Sequence, residues 1–241
     1  MSSFFETRVV TGARTMKKTV LEGDIDVLDG RYKPSARKLK KIANEQGLEY
    51  VGQGSHVFVF THPSNHEVLL AIDFEREGIS EAKSTYYLHR ILSTLFPHNF
   101  PRIFASAGSL PHSSNKRDGT LTGTARQRIR GKQHFPPWWK RINDSQQFDR
   151  DSYFPFSRAW ETIKKLDFPI TDPDFGGPNF ITGPDKGTYY IDLFALDRFR
   201  PDDWNIKDIR AYMSENSLSP TEIKTVLNSI KRLIELNQTR S

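Results

Sequence analysis

The short stretch from Asn179 to Asp192 constrains this chain more than any other. Phe180-Ile-Thr182 and Thr188-Tyr-Tyr-Ile191 are two apolar, β-prone runs separated by Gly183-Pro-Asp-Lys-Gly187. Glycine, proline and aspartate in that cluster are turn chemistry, so the segment reads as a hairpin. A hairpin folds back on itself. Asn179 and Asp192 therefore become neighbours although thirteen positions separate them. An amide oxygen and a carboxylate near one point suit a hard cation such as magnesium, which takes oxygen ligands and shares them with phosphate. Asp174, just upstream in Asp172-Pro-Asp-Phe-Gly-Gly-Pro-Asn179, is then free to accept a hydroxyl proton or to orient a nucleophile. The plainer reading is that Asp174 and Asn179 are only turn residues, since their side chains favour loops.

A hairpin needs a body to sit on, and the rest of the chain supplies one. The runs Leu48–Val51, His56–Thr61 and Val68–Ile72 read as three strands joined by tight turns. A helix follows, with Ser80 as its expected N-cap and Tyr87, Leu88, Ile91, Leu92 and Leu95 on one face. Pro97 stops it. Two more strands are expected at Arg102–Ser106 and Thr122–Ile129, with a polar loop between them. A second helix is expected over Ser157–Leu166. Ser219-Pro-Thr-Glu222 is a capping box with proline at the first helical position, and Ile223, Val226, Leu227, Ile230, Leu233 and Ile234 follow at helical spacing. The class is α+β. Three regions are expected: a basic, partly helical N-terminal extension over 1–45, a five-stranded antiparallel lobe with one main helix over 46–130, and a mostly helical lobe over 131–241.

Composition narrows the chemistry. With 241 residues, 36% of them hydrophobic, the chain can bury a sizeable core. It has no cysteine, which excludes disulfides, thiolate catalysis and cysteine-ligated zinc. The seven histidines show no metal-ligand spacing. No run approaches membrane-span length and no apolar leader opens the sequence, so a cytoplasmic protein without membrane contact is expected. The net charge of +6 favours polyanionic partners, although a solvated basic surface is the plainer account. Lys33, Arg37, Lys38, Lys40 and Lys41 crowd the end of the N-terminal arm. Beside them Ala36, Leu39, Ile42 and Ala43 line one side of an expected helix, and the arm could contact a polyanion or pack on the main domain. Arg126, Arg128 and Arg130 alternate along one strand, which fits either a polyanion contact or a solvated edge strand. Trp138 and Trp139 fit the core better than a base-stacking platform.

The order of these segments, from roughly Leu48 to Arg200, resembles the protein-kinase-like superfamily, including its aminoglycoside-phosphotransferase branch. Val51-Gly-Gln-Gly-Ser-His-Val-Phe-Val59 looks like the glycine-rich loop, and Arg128-Ile-Arg-Gly131 falls where the hinge would be. Asp174-Phe-Gly-Gly-Pro-Asn179 is similar to the catalytic loop, and Ile191-Asp-Leu-Phe194 to the metal-binding segment. The resemblance implies ATP and Mg2+ as cofactors, Asp174 as the catalytic aspartate, and Asn179 and Asp192 as metal ligands. It also implies nucleotide contacts from Gly52, Gln53, Gly54, Ser55, Val59 and Ala71, with Lys83 as the cation for the phosphates. The reaction implied is phosphoryl transfer to a hydroxyl of a protein or small molecule.

The sequence departs from the family's pattern at four places. Val57 replaces the third glycine of the loop. Asp73 stands where the third-strand lysine belongs, so its ion pair with a residue such as Glu81 cannot form. Leu193-Phe194 follows the metal-binding aspartate, and Asp172-Pro173 replaces the usual residues before Asp174. A pseudokinase, a nucleotide-binding or scaffolding module associated with nucleic acid through its basic arm, is therefore the alternative.

Overall fold

The structure is a computed structural model that describes residues 41, 44, 47–53, 57–62, 65–73, 78–108, 122–133, 154–170, 179–192 and 203–238. The expected helix through Ala36, Leu39, Ile42 and Ala43 and the Trp138-Trp139 pair lie outside the described residues. The chain divides into two compact units, residues 1–86 with 103–128, and residues 87–102 with 129–241.

The first unit carries a five-stranded antiparallel sheet of β1 (Glu49–Gln53), β2 (Val57–His62), β3 (Asn65–Asp73), β4 (Ile103–Gly108) and β5 (Thr122–Gln127), in the order β1-β2-β3-β5-β4. One face is apolar because the sequence alternates. Phe58, Phe60, Val68, Leu70 and Ala125 are buried there, and Tyr50 meets Phe60 edge to face at 6.0 Å. Fully burying one such phenylalanine contributes about 2–3 kcal/mol. The arginine strand differs from expectation. β5 lies inside the sheet, hydrogen-bonded on both sides, so it is not an edge. It also ends at Gln127, which leaves Arg128 and Arg130 beyond it. The small residues Gly123, Thr124 and Ala125 make it slim enough for a central position.

Helix α1 (Gly78–Leu95) begins two residues before Ser80, which sits in the first turn rather than at the cap. The second half of α1 belongs to the second unit. There Leu88, Ile91, Leu92 and Leu95 join a core with α2 (Phe154–Lys165), α3 (Ile206–Glu215) and α4 (Pro220–Gln238). A three-stranded sheet completes this unit: β6 (Lys132–Gln133), β7 (Phe180–Thr182) and β8 (Thr188–Tyr190), in that order. The sequence reading missed α3 and β6. Helix α3 carries a signal in Asn205, whose side chain caps the amide of Asp208 at 3.2 Å, with Ile209 and Met213 buried one turn apart. β6 is two polar residues and carries none.

Helix α4 starts as its capping box dictates. The Ser219 amide donates to Glu222 at 2.8 Å, and the Glu222 amide donates back to the Ser219 hydroxyl at 3.3 Å. The Ser219 hydroxyl also donates to the Glu222 carboxylate at 2.6 Å, and that bond first, then the one from the Ser219 amide, holds the Glu222 carboxyl below its ordinary range. No helix among the described residues is long and apolar enough to cross a membrane.

At Gly131 a Cβ would overlap the carbonyl oxygen of Thr182 and lie 2.9 Å from the Ile181 side chain. Gly131→Ala is therefore expected to cost about 3 kcal/mol of stability, read from its urea midpoint. Ser219→Ala is expected to cost about 1 kcal/mol in the same measurement.

Candidate functional site

The hairpin of the second unit forms with the register that its turn requires. Phe180 pairs with Tyr190, Ile181 with Tyr189 and Thr182 with Thr188. Phe180 and Tyr190 point inward because partners in a register share a face. They close on Phe156 of α2, with ring centroids 5.0 Å from Phe180 and 5.6 Å from Tyr190. The hairpin is thus seated by three buried aromatic rings. At its open end the Ile191 amide donates to the carbonyl of Asn179 at 2.8 Å. That bond ties the residue before Asp192 to Asn179 itself. Asn179 is half-buried and Asp192 is exposed. Both candidate metal ligands therefore stand at the mouth of one hairpin. Asp174 is outside the described residues.

The turn end of the hairpin carries a polar cluster that the sequence reading did not find. Asp185 accepts from the Tyr189 hydroxyl at 2.8 Å and from the Gly187 amide at 3.1 Å, and it meets His98 Nδ1 at 2.9 Å. A Cβ at 187 would lie 2.6 Å from the His98 carbonyl oxygen, and one at 183 would lie 2.7 Å from the Asp185 carboxylate and 2.8 Å from the Tyr189 ring, so both positions favour glycine. Burial alone would raise the Asp185 pKa. Its bonds with His98, Tyr189 and the Gly187 amide outweigh that and hold the carboxyl below its ordinary range. Burial first, and then the Asp185 carboxylate, push the Tyr189 phenol well above its usual value.

In the first unit the candidate nucleotide-binding residues fall into one row. Gly52 pairs with Val59, Val59 with Ala71, and Ala71 with Thr124. Directly paired residues share a face, so these four line one strip across the sheet. A register shift between Tyr50 and Gly52 makes Val51 a bulge, and Val51 is exposed. A Cβ on Gly52 would meet nothing within 4 Å. No packing among the described residues therefore demands glycine there. Thr124 is 3% exposed, and its Oγ1 has no hydrogen-bond partner among the described residues. A buried hydroxyl without a partner costs about 1–3 kcal/mol, so a ligand that bonds to it recovers that cost. Thr124 stands at the end of this row, paired beyond it with Ser106 of β4, and Ala71 is as buried as Thr124.

The remaining candidates are less placed. Gln53 ends β1, while Gly54 and Ser55 lie outside the described residues. Lys83 is exposed on the first half of α1. Asp73 ends β3, paired in register with Val57 and Thr122. Among the described residues no group of three or more histidine or acidic side chains is poised for a metal.

No protein-family model and no curated protein matches the chain. Among solved structures, the GDP and kanamycin complex of APH(2")-IIia aligns with a TM-score of 0.34 at 11% identity, covering 81% of this chain and 84% of that one. The MAP kinase LmaMPK10 from Leishmania major aligns with a TM-score of 0.32 at 11% identity, over 64% of this chain and 48% of the kinase. The chain thus spans about half the length of that kinase. At these scores neither neighbour determines the fold or the chemistry of this chain.

The shift of Asp185 has a definite sign. A carboxyl whose folded pKa lies below the unfolded value near 3.8 stabilises the fold above that value. It loses the contribution as pH falls through the folded pKa. Asp185→Asn is accordingly expected to melt below the wild type at pH 7, with the gap narrowing below pH 3.8 in a series of melting curves. Thr124→Val is expected to leave the melting temperature equal or higher, since it removes an unpaired buried hydroxyl.

Proposed function

We propose that the chain is a kinase-like phosphotransferase that uses ATP and Mg2+ and transfers the γ-phosphoryl group to a hydroxyl of a protein or small molecule. The observation that carries this reading is the strip Gly52–Val59–Ala71–Thr124. A flat heteroaromatic base needs an apolar slot with few, well-placed polar contacts. In this reading Val59 and Ala71 lie on the face that takes the base, the Thr124 hydroxyl at the end of the row offers a polar contact, and Gly52, whose Cβ would meet nothing within 4 Å among the described residues, lets the ligand approach the backbone. At the hairpin mouth, the Asn179 amide oxygen and the Asp192 carboxylate form an all-oxygen donor set of the kind a hard cation takes. Magnesium supplies charge neutralisation on the phosphates when it is bound. Asp174 takes the role of accepting a hydrogen bond from the acceptor hydroxyl, and Lys83 contributes positive charge toward the phosphates.

A second reading is a pseudokinase that binds nucleotide and transfers nothing. One observation favours it: Asp73 ends β3 where a phosphate-gripping lysine is expected. An acidic group there repels the phosphates rather than holding them.

The two readings separate on turnover. The wild type is expected to bind Mg2+–ATP and to turn it over, and Asp174→Asn to bind with similar affinity while losing turnover about a hundredfold or more. Binding without turnover in both proteins selects the pseudokinase. No nucleotide binding in either discards both. Thr124→Val, with its fold intact, is expected to weaken ATP binding about tenfold by isothermal titration, the worth of one hydrogen bond.

A further inference from the structure

The hairpin has a free side, and that side is occupied. In the order β6-β7-β8, β8 is the outer strand. Its exposed edge would present unpaired backbone groups. Asn99, four residues past the end of α1, covers them with both of its ends. Its main-chain carbonyl accepts from the Tyr190 amide at 2.9 Å, and its side-chain amide donates to the Thr188 carbonyl at 3.2 Å.

Asn99 is itself fixed. Its amide and that of Phe100 both donate to the Phe96 carbonyl, at 3.0 and 3.1 Å. The adjacent His98 meets Asp185 at the turn, and the His98 carbonyl lies 2.6 Å from where a Gly187 Cβ would be. Successive amides along a strand point to opposite sides. Tyr190 is accordingly held by Asn99 on one side and Ile191 by Asn179 on the other. Asp192 is the next residue. Its backbone leaves a strand that is gripped from both edges.

We propose that Asn99 is a positioning residue for the Asp192 carboxylate, fixing the strand from which that ligand projects. This inference rests on the reading of Asn179 and Asp192 as metal ligands. Partners that orient a metal ligand from behind it change metal affinity about 10–100-fold when they are removed. A bond to the ligand's strand, one step further away, should act at the lower end of that range.

The test uses the Mn2+ complex of a non-hydrolysable ATP analogue, with binding followed by Mn2+ electron paramagnetic resonance on the full chain. Asp192→Asn is expected to abolish the bound-metal signal. Asn99→Ala is expected to raise the metal dissociation constant about tenfold, at a temperature where it is fully folded. Ile230→Val, in the core of the same unit, is expected to lower the melting temperature yet leave that constant unchanged. Wild-type metal affinity in Asn99→Ala, beside a lost signal in Asp192→Asn, would overturn the positioning role and leave the metal reading standing. Wild-type affinity in Asp192→Asn overturns both. If Asn99→Ala does not fold, Asn99→Ser keeps a shorter donor and is expected to weaken metal binding several-fold. Unchanged affinity in that variant overturns the inference equally.

Discussion

Phe156 is the contact on which the second unit turns. It sits near the start of α2 and meets Phe100, Phe180 and Tyr190, with ring centroids 5.0 to 5.7 Å away. One ring thereby joins the segment after α1 to both strands of the hairpin. A two-stranded hairpin is marginal by itself in water. Seated on this aromatic cluster it becomes rigid, and rigidity is what the residues at its mouth need. Aromatic pairs add about 0.5–1.5 kcal/mol each beyond their buried area. The energetic centre of the unit thus lies directly beneath the candidate metal ligands.

Polar groups around the hairpin sort by how far they stand from that core. Asp185 and His98 lie at the exposed turn, where ion pairs contribute little. Tyr189 bridges the two regimes, with a buried ring and a hydroxyl that reaches the Asp185 carboxylate. Asn99 stands half-buried between them. The first unit has the opposite economy. Its sheet is satisfied by backbone pairing and an apolar face, and the notable polar atom is the Thr124 hydroxyl, which has no hydrogen-bond partner among the described residues.

Much of this was legible in the sequence where the signal is local. The hairpin followed from Gly183-Pro184 and Gly187, and β7 spans the three residues expected. Helix α4 followed from Ser219, Pro220 and Glu222. Boundaries drifted by one to three residues elsewhere, as at α1, where Ser80 looks like a cap but the helix begins at Gly78. Helix α3 was missed because its apolar residues are few and Asn205 is an inconspicuous cap. The central place of β5 was missed because strand order is a tertiary property, and alternating arginines look the same on an edge or inside. Of the candidate site, Asn179 and Asp192 came together through a local fold, and Gly52, Val59 and Ala71 through strand pairing. The contacts of His98 and Asn99 reach across 87 and 89 positions, and no spacing rule reveals them.

Two glycines divide the tasks of the molecule between them. Gly131 is crowded by backbone on the second unit, and Gly52 faces open space on the first. Variation at 131 is a question put to the fold, and almost any answer but glycine fails. At 52 no described neighbour stands within 4 Å of where a Cβ would be, so packing among the described residues puts no such demand. In a library of random variants, selection for soluble protein alone would purge changes at 131 and leave those at 52 untouched. Selection for nucleotide capture would act on 131 as well, and only a loss at 52 under that second selection would place a ligand against this part of the sheet.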